Sequence, residues 1–325
     1  MKINAIRVHE QGDIDRMKFE SIDLPPPKPA EARVRHEAIG VNYIDTYHRS
    51  GLYKLPTPTG IGVEAAGVVD EVGSAVTNLK VGDRVAYCGG LIGAYAQASN
   101  VPAARLIKLP KGVSSDAAAA MLLKGLTVQY LFRQTYVLKK GETILFHAAA
   151  GGVGLLAAQW ARHLGVAMIG TVSSAEKAKL ALARGCAHVI NYSTENVPAR
   201  VLEITGGKKV PVVYDGVGKD TFMASLDCLA PRGLLVSFGN ASGPVTGVDL
   251  GILSAKGSLY VTRPTLATYT ATTEMLQSAA DELFALVARG AITPDITRHY
   301  PLAQARDAHR ALESRGTVGS ILLTP

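Results

Sequence analysis

The sequence predicts an α/β fold with two parts, a doubly wound parallel sheet and a separate β-rich domain. Three observations support this fold class. A strand, a glycine-rich turn, a helix and a second strand follow one another between Gly141 and Lys177. Strand-like and helix-like segments alternate after Lys124, whereas short strands broken by Gly and Pro come before it. A chain of 325 residues is long enough for two domains with separate cores.

The glycine-rich turn lies directly after a predicted buried strand. Residues 143–146 are β-branched, aliphatic or aromatic, and Ala149-Ala150-Gly151-Gly152-Val153-Gly154 follows with a small-residue helix after it. This context matches a dinucleotide-binding fingerprint with Ala at the first glycine position. We expect Gly151 to let the backbone approach a pyrophosphate at the helix N-terminus, and Gly154 to let the helix pack closely on the sheet. The alternative is a Gly/Ala-rich buried turn of another α/β protein.

The end of the second strand, at residues 167–172, indicates which dinucleotide binds. An NAD site usually has an acidic residue here that accepts from the ribose 2′-hydroxyl. This strand is followed by Ser173 and Ser174, and Glu176 is explained by a capping box. Ser173, Ser174 and Lys177 suit a 2′-phosphate, so the sequence favours NADP over NAD. The alternative for Lys177 is a solvated helix lysine.

Composition and charge exclude several other classes of protein. The net charge of +7 is spread along the chain, and the basic runs do not exceed the pairs Lys139-Lys140 and Lys208-Lys209, which disfavours a nucleic-acid channel. Cys88, Cys186 and Cys228 lie too far apart for a zinc module. The N-terminal residues lack a long apolar segment, and the apolar stretch around 143–160 is a core βα element, so we expect a cytoplasmic protein without a membrane span.

Residues 1–124 predict a barrel-like β domain with Gly and Pro turns. Strand-like segments then recur near 143–148, 167–172, 187–191, 211–215, 233–238 and 257–262, which predicts the parallel sheet of a 125–262 nucleotide-binding domain. We expect residues 263–325 to return to the first domain. An inserted nucleotide domain of this kind leaves a cleft for cofactor and substrate.

Motifs along the whole chain resemble the medium-chain dehydrogenase/reductase superfamily, and more closely its NADPH:quinone oxidoreductases, the group that includes zeta-crystallin. The matching segments are residues 40–47 (GVNYIDTY), 62–67 (GVEAAG), 124–127 (KGLT), 147–154 (HAAAGGVG), 191–192 (NY), 213–215 (VYD), 237–240 (SFGN) and 261–264 (VTRP). The resemblance implies a GroES-like first domain, a Rossmann second domain, NADPH as cofactor and a homodimer or larger assembly. It also makes the Ala at the first fingerprint position expected.

The same resemblance argues against a metal. Zinc-dependent relatives have Cys at the position of Asn42 and His at the position of Val63, between Gly62 and Glu64. An amide and an apolar side chain therefore replace two ligands, and a catalytic Zn²⁺ needs three protein ligands. We expect no metal and no alcohol oxidation through a metal alkoxide.

Without a metal, the simplest chemistry is direct hydride delivery to an acceptor such as a quinone, whose oxygen gains negative charge. Candidate catalytic residues in the first domain are Asn42, Asp45, Tyr47, Tyr53 and Arg263. The resemblance places Asn42, Asp45 and Tyr47 near the nicotinamide, and Tyr47 and Tyr53 beside the acceptor. The tyrosines are equally explained by packing with satisfied hydroxyls. Asp45 is as well suited to holding an Arg or a backbone amide as to moving protons, and no general acid is evident.

The resemblance also implies further cofactor contacts. Adenosine-phosphate contacts match Lys177, Tyr192 and Arg315, and the pyrophosphate turn matches Gly152 and Val153. Ribose and nicotinamide contacts match Thr127, Phe238, Gly239, Asn240 and Ser242. Gly216 stands where the family usually has Ser, which removes one side-chain contact. His147, beside the glycine turn, is better explained as a satisfied structural group than as a catalyst.

The leading hypothesis is a quinone reductase that uses NADPH, without flavin or metal. A first alternative is NADPH-dependent reduction of activated C=C bonds in enones, since the same scaffold serves both and the sequence does not place the acceptor carbon. A second alternative is a non-catalytic NADPH-binding or RNA-binding role, which the scattered basic residues disfavour.

Overall fold

The computed structural model describes residues 1–314 and 316–325. Its strands are β1 (Lys2–Val8), β2 (Met17–Asp23), β3 (Glu31–Val41), β4 (Thr59–Gly60), β5 (Glu64–Val72), β6 (Arg84–Cys88), β7 (Ala98–Pro102), β8 (Ile107–Lys108), β9 (Thr143–Phe146), β10 (Ala167–Val172), β11 (His188–Asn191), β12 (Val210–Asp215), β13 (Leu229–Ser237), β14 (Tyr260–Thr262), β15 (Ile296–Pro301) and β16 (Ser320–Thr324). Its helices are α1 (Tyr43–Ser50), α2 (Ser115–Tyr130), α3 (Gly152–Leu164), α4 (Ala175–Arg184), α5 (Val197–Ile204), α6 (Phe222–Asp227), α7 (Gly251–Ala255), α8 (Leu266–Tyr269), α9 (Thr273–Ala288) and α10 (Ala305–Glu313).

The chain divides into two units. The first comprises Met1–Leu126, Thr270–Ala288 and Thr293–Pro325, and the second comprises Thr127–Tyr269 and Arg289–Ile292. The sequence places the corresponding boundaries at residues 124 and 262, so residues 263–269 and 289–292 fall in the second unit instead of the first. Two contacts hold the segment 263–269 there. Arg263 Nη1 donates to the carbonyl of Ser237 at 2.9 Å, and Tyr269 stacks on Tyr130 with ring centroids 4.6 Å apart.

The second unit contains the predicted parallel sheet. Its six strands lie in the order β11-β10-β9-β12-β13-β14, and each neighbouring pair is parallel. Leu145, Ile169, Val213 and Leu235 are fully buried in its core, as expected for strands covered on both faces. The chain leaves β9 towards β10 on one side and later returns to β12 on the other. This reversal between β9 and β12 is the topological switch point, where open α/β sheets bind their ligands.

The first unit is built from two sheets. One has seven strands: six lie in the order β15-β16-β3-β5-β6-β8, and β7 pairs with β3. The other has the order β2-β1-β4. All pairs are antiparallel except β15 with β16. The alternating strands and glycine turns of the sequence therefore form the predicted β-rich domain. Its core includes Ile6, Ile39, Val85, Tyr87 and Tyr95.

Candidate functional site

The glycine turn after β9 forms an open, anion-compatible helix N-terminus. Gly151 is the N-cap of α3 and supplies no side-chain cap. A Cβ on Gly154 would lie 2.5 Å from the carbonyl oxygen of Ala148, so only glycine fits there. Among the residues that the structure describes, a Cβ on Gly151 would have only that same oxygen within 4 Å, at 3.3 Å. The backbone at Gly151 is thus uncovered on its other side, and the N–H groups of Gly152 and Val153 begin a helix whose dipole favours a phosphate.

Polar groups gather where β10 ends, as a 2′-phosphate site requires. Lys177 Nζ donates to Ser173 Oγ at 3.2 Å, and Ser174 Oγ caps α4 by accepting from the backbone N–H of Lys177 at 3.3 Å. Tyr192 follows β11, is half exposed, and its backbone N–H donates to the carbonyl of Val172 at 3.0 Å. Partial burial lowers the pKa of Lys177. The structure therefore brings Ser173, Lys177 and Tyr192 to one edge of the sheet.

The loops after β12 and β13 interlock, and four predicted cofactor contacts lie in this region. A Cβ on Gly239 would lie 2.3 Å from the carbonyl oxygen of Gly216, so the two loops touch through their glycines. Phe238 N donates to the carbonyl of Asp215 at 2.8 Å, and Ser242 Oγ donates to the carbonyl of Val217 at 2.9 Å. Phe238, Gly239, Asn240 and Ser242 therefore form one preorganised loop at the carboxyl edge of the sheet.

Arg263 holds this loop. Besides its bond to Ser237, its Nη2 donates to Oδ1 of Asn240 at 3.2 Å, in the amide orientation that satisfies both groups. Arg263 thus lies against the Phe238, Gly239 and Asn240 loop of the second unit, whereas the sequence groups it with the acceptor residues. Thr127 is half-buried on α2. Arg315 lies outside the described residues.

In the first unit, Asn42 and Asp45 together form the start of α1. Asn42 is the N-cap, and Asp45 Oδ2 accepts from the backbone N–H of Asn42 at 2.8 Å and from Tyr95 Oη at 2.9 Å. Asp45 is fully buried, and its Oδ1 has no hydrogen-bond partner among residues 1–314 and 316–325. Burial raises the pKa of Asp45 to about 7, against the hydrogen bonds that favour the carboxylate. The sequence allows Asp45 either to hold a neighbouring group or to move protons. In the structure, Asp45 holds the backbone N–H of Asn42.

Glu64 and Lys124 complete this part of the site, and the sequence motifs give them no role. Glu64 Oε2 accepts from Asn42 Nδ2 at 2.8 Å and lies 3.5 Å from Lys124 Nζ, while Oε1 accepts from the backbone N–H of Leu123 at 2.6 Å. Both charged side chains are buried. Burial raises the pKa of Glu64, and the Lys124 ammonium opposes this. Glu64 and Lys124 each interrupt an apolar run in the sequence. Since a charged residue is rarely buried without a partner, this pattern alone indicates a paired or functional charge at both positions.

A directed hydrogen-bond chain ties α1 to α10 through Tyr95. Arg49 forms a two-pronged ion pair with Glu313, both contacts at 2.8 Å, and its Nη1 reaches His309 Nδ1 at 3.3 Å. His309 Nε2 lies 3.1 Å from Tyr95 Oη, which bonds to Asp45. Since a guanidinium only donates, His309 accepts at Nδ1 and donates at Nε2. Burial, and then Arg49, lowers the pKa of His309 to about 3, which keeps the ring neutral.

Tyr47 and Tyr53 lie against each other beside this helix. Their rings meet edge to face with centroids 5.3 Å apart, and Tyr53 N donates to the carbonyl of Tyr47 at 3.1 Å. Tyr47 is buried, whereas Tyr53 is half-buried. The structure therefore groups Asn42, Asp45, Tyr47 and Tyr53 around α1 of the first unit.

Metal sites and membrane spans are both absent from the described residues, 1–314 and 316–325. No group of three or more His, Cys, Asp or Glu side chains there has the arrangement of a metal site. The helices described in the same ranges are too short or too polar to span a lipid bilayer.

Comparison with known proteins places this chain in a family. Residues 28–111 match the model of the alcohol dehydrogenase GroES-like domain, and residues 152–284 match the zinc-binding dehydrogenase model. A quinone oxidoreductase from Pseudomonas aeruginosa is 60% identical over 315 residues, which cover 97% of both chains. The chain belongs to the quinone oxidoreductase family. It is thus an oxidoreductase of the medium-chain dehydrogenase/reductase superfamily, as the sequence motifs predict.

Solved structures of family members agree with the fold described above. The structure of Escherichia coli quinone oxidoreductase complexed with NADPH has a TM-score of 0.98 and 53% identity, and it covers 99% of this chain and all of that one. A relative named for a different activity is the 2-haloacrylate reductase of a Burkholderia species, which is 45% identical over 99% of both chains. The family therefore includes members with at least two kinds of acceptor.

Proposed function

We propose that this protein reduces quinones with NADPH by direct hydride transfer and without zinc. The observation that carries the proposal is the match to quinone oxidoreductases along almost the entire length of both chains. The carboxyl edge of the parallel sheet agrees with it, because the residues there fit a phosphorylated dinucleotide. Bound NADPH supplies a hydride that reduces the acceptor.

The residues of the second unit account for cofactor binding. The uncapped N-terminus of α3 binds the pyrophosphate, and the space beside Gly151 lets it approach the backbone. Lys177 and Ser173 bind the 2′-phosphate by charge-assisted hydrogen bonds. The loop of Phe238, Gly239 and Asn240, fixed by Arg263, positions the nicotinamide ribose.

Residues of the first unit supply the hydrogen-bond donor for the quinone. A quinone oxygen gains negative charge during reduction and needs a donor. The Glu64 carboxylate only accepts hydrogen bonds, so the Asn42 amide turns its nitrogen towards Glu64 and donates to it. That nitrogen is therefore already engaged and is a weaker candidate for the quinone donor. We assign the donor role to the hydroxyl of the half-buried Tyr53, with Tyr47 packed against its ring. Water supplies the proton that completes the hydroquinone.

The side chains around Asn42 also support a reaction without zinc. Asn42 and Val63 are not zinc ligands. Glu64, the remaining carboxylate of that segment, has both oxygens engaged, and the Lys124 ammonium lies 3.5 Å from it. A buried cation at that distance repels Zn²⁺ electrostatically.

Reduction of activated C=C bonds is a second candidate, because the 2-haloacrylate reductase is similar along its whole length. The deciding experiment measures NADPH oxidation by EDTA-treated protein with a set of quinones and a set of enones and haloacrylates. Faster turnover of quinones supports the leading proposal, and faster turnover of the alkenes supports the second. Activity that returns only when Zn²⁺ is added would contradict the zinc-free mechanism.

We also infer a cytoplasmic homodimer. Cys88, Cys186 and Cys228 are free and buried, which suits a reducing compartment. The edge strand β14 exposes Tyr260 and Val261, and such an uncovered apolar edge suits pairing with a second copy.

A further inference from the structure

A buried hydrogen-bond network crosses the switch point of the parallel sheet. His147, directly after β9, lies between two hydroxyl groups: its Nδ1 is 3.0 Å from Thr171 Oγ1 and its Nε2 is 3.0 Å from Ser225 Oγ. Ser225 Oγ continues to Asp215 Oδ2 at 2.8 Å. All four side chains are buried. The network therefore joins the ends of β10, β9 and β12, three neighbouring strands, through one imidazole.

The chemistry of the two ends fixes the direction of every bond in this network. The Asp215 carboxylate only accepts, so Ser225 donates to it and must accept from His147 Nε2. At the other end, Thr171 Oγ1 accepts from the backbone N–H of Ala148 at 3.3 Å, which leaves its own hydrogen for His147 Nδ1. Burial lowers the pKa of His147, and Asp215 opposes this only in part. The Nε2-protonated, neutral tautomer of His147 is therefore the one in which both ring nitrogens and both hydroxyl groups have hydrogen-bond partners.

Each end of the network holds a different part of the dinucleotide site. Thr171 fixes Ala148, the residue directly before the glycine turn, whose φ of 55° is unusual for a residue with a side chain. Asp215 Oδ1 accepts from the backbone N–H groups of Val217 and Gly218 at 2.8 and 3.0 Å, and so shapes the loop after β12. That loop interlocks with the Phe238–Ser242 loop. One histidine thus sits between the pyrophosphate turn and the nicotinamide loops.

We propose that His147 is a positioning residue that couples the pyrophosphate turn to the loop after β12 and so preorganises both for the dinucleotide. The inference rests on the proposed use of NADPH. His147 does not contact the reacting atoms in this role. Its effect is on cofactor affinity, because a loosened turn must be ordered again when the cofactor binds.

Two hydroxyl deletions test this coupling with little change in shape. Thr171→Val and Ser225→Ala each remove one bond of His147 from opposite sides of the ring. NADPH affinity is measured by calorimetry or by cofactor fluorescence, without turnover. We expect each single variant to weaken NADPH binding about fivefold to tenfold, since each deletion removes a hydroxyl that makes two buried hydrogen bonds. If the two hydroxyls act through one imidazole, the double variant loses much less than the product of the single effects.

A matched hydroxyl deletion far from the network serves as the control. Thr205→Val removes a comparable, partly buried bond, from Thr205 Oγ1 to the carbonyl of Val201 at 2.7 Å at the end of α5, and should leave NADPH affinity unchanged. Independently, ¹⁵N NMR of histidine-labelled protein should show His147 with a protonated Nε2 and an unprotonated Nδ1 at neutral pH.

Several results would overturn the inference. These are independent effects of the two deletions, wild-type affinity in both variants, or a His147 ring that is charged or protonated on Nδ1. Wild-type protein that does not bind NADPH at all would instead defeat the proposed function, whatever the ring shows.

Discussion

At the scale of single residues, the proposed preference for NADPH rests on two side chains. Lys177 and Ser173 are bonded to each other at the end of β10, where an NAD site would carry an acid. The Lys177 ammonium and the Ser173 hydroxyl can both bind the 2′-phosphate of NADPH. NADH has only a neutral ribose hydroxyl at that position, so the ammonium attracts it much less.

The first prediction concerns Lys177→Ala. We expect the KM for NADPH to rise about tenfold to 100-fold, the usual value of a charge-assisted hydrogen bond, while the KM for NADH changes little. Steady-state kinetics with both cofactors measures this. Lys179→Ala, an exposed lysine of the same helix, is the matched control and should behave as wild type. Equal effects on both cofactors would remove Lys177 from the 2′-phosphate site.

The second prediction concerns Tyr53→Phe. If its hydroxyl donates to the quinone oxygen, the variant should lose about tenfold in kcat with quinones and keep its affinity for NADPH. Tyr300→Phe, in β15, is the control. Unchanged quinone turnover in Tyr53→Phe would mean that the hydroxyl has no role, and the contact with Tyr47 would then be packing alone.

Each site residue that the sequence motifs miss lies far along the chain from its hydrogen-bond partner. By contrast, Asn42 and Asp45 could be predicted because they stand in one motif at the start of α1. Glu64 is 22 residues from Asn42, and Tyr95 is 50 residues from Asp45 and 214 from His309. No local pattern records such pairings, because they form only when β3, β5, α1 and α10 pack. The apolar surroundings of Glu64 and Lys124 signal burial but do not name the partner.

At the scale of elements, the parallel sheet could be predicted almost strand by strand. The segments predicted near 167–172 and 211–215 correspond to β10 at Ala167–Val172 and β12 at Val210–Asp215. Their hydrophobic runs and the helices between them suffice for this. The end of the nucleotide domain is different. Arg263 and Tyr269 stay with the second unit through tertiary contacts to Ser237 and Tyr130, and nothing in the local sequence shows those contacts.

The third prediction concerns the start of α1 and the pH dependence of stability. Burial raises the pKa of Asp45 from 3.8 to about 7, so the folded state binds the proton more tightly than the unfolded chain. This contribution to stability is complete below about pH 4 and is lost as the pH rises to about 7. We expect the stability of wild type relative to Asp45→Asn to fall by about 2–3 kcal/mol between pH 5 and pH 7.5, at about 1.4 kcal/mol for each unit of pKa shift.

Urea unfolding of both proteins at several pH values measures this difference. The comparison with Asp45→Asn is needed because burial lowers the pKa values of His36 and His309 to about 4 and about 3. Those two histidines lower stability as the pH falls below about 6.5, which is the opposite trend. Since both proteins contain them, their effect cancels in the difference. A difference that does not change with pH would show that Asp45 titrates normally in the folded protein.

At the scale of the whole molecule, the last strand of the parallel sheet presents an uncovered edge. Within the described residues β14 pairs with β13 alone. Tyr260 and Val261 are 61% and 41% exposed, and the strand Tyr-Val-Thr carries no charge or proline to prevent pairing. Two copies related by a twofold axis pair such strands antiparallel, which joins their sheets into one and satisfies the free backbone groups of both.

The last prediction follows from this edge. Wild-type protein should have twice the chain mass of 34.2 kDa in light scattering, and Val261→Lys should be a monomer, because the two lysines lie near the twofold axis and repel each other. Leu182→Lys is the matched control, since Leu182 is 48% exposed on α4 of the same unit and away from β14. A dimer that survives Val261→Lys but not Leu182→Lys would move the interface to α4. If the Val261→Lys monomer still binds NADPH with wild-type affinity, the dinucleotide site is complete within one chain.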